Sequence, residues 1–408
     1  MVDNDDAEDG QIDTGRYIGQ QVRKYRRIRG LTQQVLADRV DEQRTLITRC
    51  ETGERPIDSR AVLYKLAEAL SVSIGDLTGH QEDKVSPAAV AFHAAVPRIE
   101  GALMSAGLVD GADEPRPIQE LTTEADQSLT TFMACDYSKL GRVLPELLTD
   151  LYRLTSGPEA ERAWRALTAA TFSTAMSTKK LGYTSLAWIA ARACAEAAAT
   201  CGEPAGVAAA EYMLAQTLLA MPGVASASLA HSGGSAERLQ RDLSETTEGL
   251  EMYGMLHLHA ALTTAATGGD PTDHLNEAAE TATRTGDTPG QAFALAFGGQ
   301  NVDIWRMSVA LEQRDGGRAI EVSRTIDPAS IPSADRRARY FVELGRAHAL
   351  EKDYTHCLHA LLRAEHVAPQ EVRSMNVVRE LVGAMVRRAR RDVLSGDLGK
   401  LAERVSAL

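Results

Sequence analysis

Aromatic residues are few in this chain, 5% of 408 residues, while small residues, alanine above all, fill many of the positions between them. That balance favours helices packed closely against one another over a sheet-rich core. Cysteine is also scarce. Cys50, Cys135, Cys194, Cys201 and Cys357 are scattered without paired spacing and no signal peptide precedes them, so reduced thiols in a cytoplasmic protein are expected rather than a disulfide scaffold. No apolar run approaches the roughly 20 residues of a membrane span, so no membrane partner is expected. Convincing strands are absent, and with them any glycine-rich phosphate loop after a strand; Gly298-Gly299 merely opens a helix. His257 and His259, two apart on a predicted helix, face different sides. His356, Cys357 and His359 have no carboxylate or further cysteine at metal-ligand spacing. No triad-like grouping exists either. The expectation is a protein that is not an enzyme and holds no metal or cofactor.

What is present is charge, unevenly spread. The net charge of −12 alone argues against nucleic acid. Yet the acids Asp3, Asp5, Asp6, Glu8, Asp9 and Asp13 crowd a segment without a base, predicted as a disordered tail over 1–15. Through Arg60, eleven Arg and Lys residues then outnumber six acids, and a basic domain on an acidic body is the footprint of local phosphate contact. Arg23, Arg26 and Arg27 point away from the inward face Ile18, Val22 and Tyr25, toward phosphate or solvent.

The stretch Leu31 to Pro56, LTQQVLADRVDEQRTLITRCETGERP, reads as two short helices around a tight turn. Thr32 is an N-cap candidate, and Leu36, Ala37 and Val40 share a face. A polar turn at 41–43 follows. The second helix buries Leu46, Ile47 and Cys50, leaves Arg44, Thr45, Thr48 and Arg49 outside, and ends at Gly53. A helix with two arginines and two threonines outward can reach the hydrogen-bonding edges of a major groove.

The pattern Leu31-Thr32-Gln33, Leu36-Ala37, Ile47, Arg49, Glu51-x-Gly53 and Arg55-Pro56 resembles the helix-turn-helix of Xre/Cro-type regulators, over about Ile18 to Leu77. The resemblance implies a five-helix domain at 16–78 whose helix 43–52 lies in the major groove. Gln43, Arg44, Thr45, Thr48 and Arg49 would then face bases, Gln33 and Arg55 phosphate, with pairing of Arg49 to Glu51 or a role in helix packing as the alternatives for that arginine. Asp41 and Glu42 depart from the family's usual turn residues, so a looser or differently shaped turn is expected.

A linker with one helix is expected at 79–117, kinked at Pro97. From 118 to 408 amphipathic helices alternate with turns of repeated form, Cys201-Gly202-Glu203-Pro204, Gly268-Gly269-Asp270-Pro271, Asp315-Gly316-Gly317 and Glu351-Lys352-Asp353-Tyr354. Leu344-Gly345, Tyr354, Cys357, Leu361, Ala364 and Pro369 fall in one register that resembles the tetratricopeptide pattern. The fold class expected is therefore all-α, an Xre-type head on a tetratricopeptide-like α-solenoid, with capping helices over 377–407. The arrangement is similar to peptide-sensing quorum regulators, and the 36 arginines against eight lysines suit a GC-rich bacterium.

Polar anchors amid apolar wall are what a concave ligand site needs. Asn301, Trp305 and Arg306 on one helix, with Arg339, Tyr340 and Arg346 on a following one, are the ligand-binding candidates; inter-repeat packing and a solvated face are the plainer alternatives. The reading is a homodimeric, sequence-specific transcriptional regulator on inverted-repeat double-stranded DNA, whose body senses a peptide or small molecule. The alternative is an adaptor whose solenoid docks a partner protein while the head tethers it to DNA.

Overall fold

The computed structural model describes residues 17–57, 59–72, 74–78, 90–106, 114–219, 221, 224–243, 246–286, 290–389 and 396–407. The acidic tail expected at 1–15 and most of the expected linker, 79–89 and 107–113, lie outside them. Every regular element among the described residues is a helix.

Five helices, α1 (Tyr17–Ile28), α2 (Gln33–Arg39), α3 (Arg44–Glu51), α4 (Arg60–Leu70) and α5 (Ile74–Thr78), enclose an apolar cluster of their own. At its centre Val22, Leu36, Ala37, Ile47, Leu66 and Leu70 are wholly buried. Local signals set the boundaries. Thr32 caps α2 by accepting from Val35 N–H, and Ser59 caps α4 by accepting from Val62 N–H. Asp41 takes a left-handed backbone (φ 55°), supplying the conformation that a glycine would otherwise provide in the turn. A short polar side chain tolerates that region. Gly19 lets α1 press onto α3; a Cβ there would meet the Cys50 carbonyl oxygen at 2.0 Å.

Beyond the head come α6 (Val90–Met104), α7 (Ile118–Met133), α8 (Tyr137–Arg153), α9 (Ala160–Lys180), α10 (Thr184–Cys201) and α11 (Pro204–Leu219). The chain continues through α12 (Ala225–Leu243), α13 (Thr247–Ala266), α14 (Thr272–Thr285), α15 (Gly299–Glu312), α16 (Gly316–Ser323), α17 (Ala334–Leu350) and α18 (Tyr354–Val367). It ends in α19 (Pro369–Val372), α20 (Asn376–Arg388) and α21 (Asp397–Arg404). Pro97 and Pro145 sit inside α6 and α8, which remain single helices.

From α9 to α19 each helix packs on the next, while α9, α11, α13, α15 and α17 also touch in succession, forming the inner layer of a solenoid-like body. Small residues make that contact close. Along α9, Thr174, Ser177 and Thr178 are fully buried, and each hydroxyl donates to the carbonyl four residues back at 2.7 Å, so no polar group is stranded. Asp315 and Asp353 cap α16 and α18 alike, accepting from the N–H three residues on. The body also closes on itself. Lys180, at the end of α9, meets Asp335 at the start of α17 and Glu371 on α19, the latter at 2.6 Å. Glu371 accepts further from the Tyr137 hydroxyl (3.1 Å) and the Cys135 thiol (3.0 Å), tying α8 and its preceding turn to the same point.

The histidines set a pH limit. Burial pushes His257 down to about 4, with His274 adding to the shift, and Nδ1 of the two rings lie 3.1 Å apart between Tyr253 and Glu277. A histidine depressed from 6.5 makes the unfolded chain bind more protons between those values, so stability falls as pH drops from about 6.5 to about 4. Urea melts at pH 4.5 and 7.5 should show this loss, and H257Q should reduce it, by on the order of 1–3 kcal/mol.

Candidate nucleic-acid interface and internal cavity

The α3 helix carries its function because α1 and α2 hold it from behind. Glu51, buried at the end of α3, receives the Arg26 guanidinium through both Nε (2.5 Å) and Nη2 (2.9 Å). Arg26 Nη1 also donates to the Leu31 carbonyl at 2.8 Å, and Gln33 Nε2 donates to Glu51 at 2.9 Å. Thr48 Oγ1 then donates to Gln33 Oε1 at 3.1 Å. One carboxylate therefore fixes the crossing of three helices. This corrects the reading of Arg26 as a phosphate or solvent residue, and Glu51 is engaged by Arg26 and Gln33 rather than by Arg49.

With α3 so held, Gln43, Arg44, Thr45 and Arg49 are exposed and Thr48 is half-buried on the same outer face. Gln33 sits behind Thr48 within the Glu51 network, and Arg55 is half-buried beyond the end of α3. The structure thus gathers all seven expected DNA-contacting residues on or beside one helix. The body touches the head elsewhere. Arg387 Nε donates to the Gly53 carbonyl at 2.7 Å, and Arg388 Nη2 donates to that of Glu54. Arg314 pairs with Glu42 at 2.6 Å, and Ser59 Oγ donates to Glu312 at 3.4 Å. Between them runs an open cleft of about 610 Å³ whose cations are Arg49, Arg55, Lys352, Arg387 and Arg388 against the single acid Glu54. Basic character therefore continues past α3 onto the body.

The six ligand candidates separate. Trp305 and Arg339 line a cavity of about 70 Å³ inside the inner helix layer, with Lys179, Tyr212, Gln216 and Arg336. Asn301 lines a neighbouring crevice, where its Nδ2 donates to the Leu295 carbonyl at 3.1 Å. Arg346 lies instead under the head, paired with Glu343 (2.6 Å) and Glu312 (3.2 Å). Arg306 pairs with Asp303 at 2.8 Å, and Tyr340 donates to the Ser323 carbonyl at 3.3 Å. Shared helices do not mean a shared face: Arg306 follows Trp305 by about 100° of helical turn.

Lys179, Tyr212, Gln216 and Arg336 were not anticipated, since only the stacking of α9, α11, α15 and α17 brings them together. The expected absence of a carboxylate near His356 also needs correction. Asp353 Oδ2 lies 2.6 Å from His356 Nδ1 and 3.6 Å from His348 Nδ1, and the spacing of three was readable in the sequence.

Among the described residues, no helix is long and apolar enough to cross a membrane. None of the curated proteins matches this sequence. The family described as a helix-turn-helix domain matches residues 18–80, so the chain carries a helix-turn-helix DNA-binding domain, the mark of a DNA-binding regulator.

Proposed function

We propose that this protein is a cytoplasmic, homodimeric, sequence-specific transcriptional regulator whose tetratricopeptide-like body senses a peptide or small molecule. The observation that carries the DNA half is the outer face of α3, where Arg44 and Thr45 stand exposed, Thr48 is half-buried, and Arg49 is exposed at the edge of the cleft that the head shares with the body. An arginine there can donate two hydrogen bonds to a guanine edge, about 1–3 kcal/mol of discrimination per good pair. One such helix offers too little contact for useful specificity, which is why two heads on half-sites one helical turn apart are proposed. The sensing half is supported by the small cavity at Trp305 and Arg339, where Lys179, Lys180, Gln216 and Arg336 offer polar anchors beside the apolar Met176, Leu262 and Ile304.

Sensing requires the ligand to favour one arrangement of the heads over another. The direct test is selection of bound sequences from random duplex DNA at roughly physiological salt, where non-specific phosphate binding is suppressed. An enriched inverted repeat supports a dimeric reader; no enrichment moves the adaptor reading to first place. On the selected operator, R44A should lose specific affinity by roughly 10- to 100-fold while non-specific binding barely changes, whereas R55A should weaken both. Competition with unrelated duplex separates the two. Intact operator preference in R44A would remove α3 as the reading helix.

A further inference from the structure

We infer that the crevice at the start of α15 binds a small oxyanion, carboxylate or phosphate, that carries a hydrogen-bond donor beside it. This rests on the proposed sensing role and names the chemistry of what is sensed. The crevice, of about 60 Å³, is lined by Gly298, Gly299, Gln300 and Asn301 on one side and by Arg336 on the other. The 14-residue helix α15 presents its N-terminus here, where the first amide groups have no partner within the helix and the backbone dipole favours negative charge. A helix N-terminus alone is common. The second observation is Arg336, whose side chain is only 9% exposed and whose Nη2 has no hydrogen-bond acceptor, the Tyr212 hydroxyl engaging the guanidinium from the side of the larger cavity. Its Nε reaches the Leu295 carbonyl at a long 3.4 Å, and Asp335 stands 3.6 Å away, turned toward Lys180. A buried guanidinium with a free donor is costly unless something fills it.

The Asn301 side chain, 4% exposed, adds the complement: Nδ2 is engaged and Oδ1 is not. An oxyanion with a neighbouring O–H or N–H satisfies both. Arg336 also lines the larger cavity beside Trp305 and Arg339, so an occupant of the crevice touches the residue shared by both spaces. The wall above is a segment in which Phe293, Ala294 and Ala296 all hold left-handed backbones, pinned by Phe297 against Gly254. Its Leu295 carbonyl is the acceptor shared by Asn301 and Arg336, so charge entering the crevice acts directly on that segment.

The experiment is thermal unfolding of the full chain titrated with L-lactate and, separately, inorganic phosphate, against acetate and against chloride at matched ionic strength. Phosphate stabilises many proteins by exclusion, so each curve is read against a variant. The variant is G299D: no atom lies within 4 Å of a Cβ there, and a carboxylate in a first helical turn suits the helix while setting a negative charge beside the crevice. R336Q is the second variant. The expected result is a saturable rise in melting temperature with lactate or phosphate, larger than with acetate, whose midpoint weakens by about tenfold or more in both variants. Identical responses in wild type and G299D, or none in wild type, overturn the proposal. Binding that leaves operator affinity unchanged keeps the site and removes the sensing role. A different ligand that shifts operator affinity while lactate and phosphate bind nowhere keeps the sensing role and removes this site.

Discussion

E51A is expected to unfold the head and abolish DNA binding altogether, a larger effect than any substitution on the outer face of α3. Glu51 accepts three hydrogen bonds, two of them from a guanidinium whose side chain is 11% exposed. Removing it leaves Arg26 buried and uncompensated, a change that costs roughly 3–5 kcal/mol in comparable buried pairs. A head of about 60 residues has little more than that to lose. Gln33 and Thr48 lose their anchor in the same step. Calorimetry should show the head melting early while the body keeps its transition, and DNA affinity should fall for operator and unrelated duplex alike. R44A, by contrast, should melt like wild type. If E51A retained full operator affinity, the rigid mounting of α3 by Glu51 would not matter to its work.

The second large effect is expected from K180A in the body. Its ammonium stands between Asp335, 1% exposed, and Glu371, 2% exposed, and joins α9 to α17 and α19. Without it two buried carboxylates face each other's field, with Arg336 only 3.6 Å from one of them. A loss of roughly 3–5 kcal/mol follows, a fall in melting temperature on the order of 10 °C for a body of this size. Adding E371Q to K180A should restore part of it, because one orphaned charge is then removed. Burial pushes Glu371 upward, but Lys180 and Arg339 outweigh it and hold the carboxyl below its ordinary value. A depressed carboxylate stabilises the fold above that ordinary value and ceases to do so as pH falls through the folded one. Acid should therefore open this closure, and K180A should blunt that sensitivity.

How much of this was legible follows from distance along the chain. The cap at Thr32, the shared face of Leu36, Ala37 and Val40 and the helix end at Gly53 depend on neighbours within a few residues, and sequence pattern carries such information. The Arg26–Glu51 pair spans 25 residues, and the pattern could say that Arg26 pointed away from the apolar face but not what it met. The grip of Arg387 on Gly53 spans 334 residues and left no local trace. For the same reason the ligand candidates were grouped by helix. Periodicity tells which side chains share a stripe, whereas a cavity among α9, α11, α15 and α17 is assembled by stacking that no single stripe encodes.

The way the body holds the head has a consequence for how such a protein can diversify. Arg387 and Arg388 grasp the carbonyl oxygens of Gly53 and Glu54, atoms that every residue type possesses. That part of the grip is indifferent to which side chains stand at 43–49. New operator preferences can therefore accumulate on α3 without these two contacts being renegotiated. Vocabulary and mounting are written in separate places, and one can drift while the other stays put.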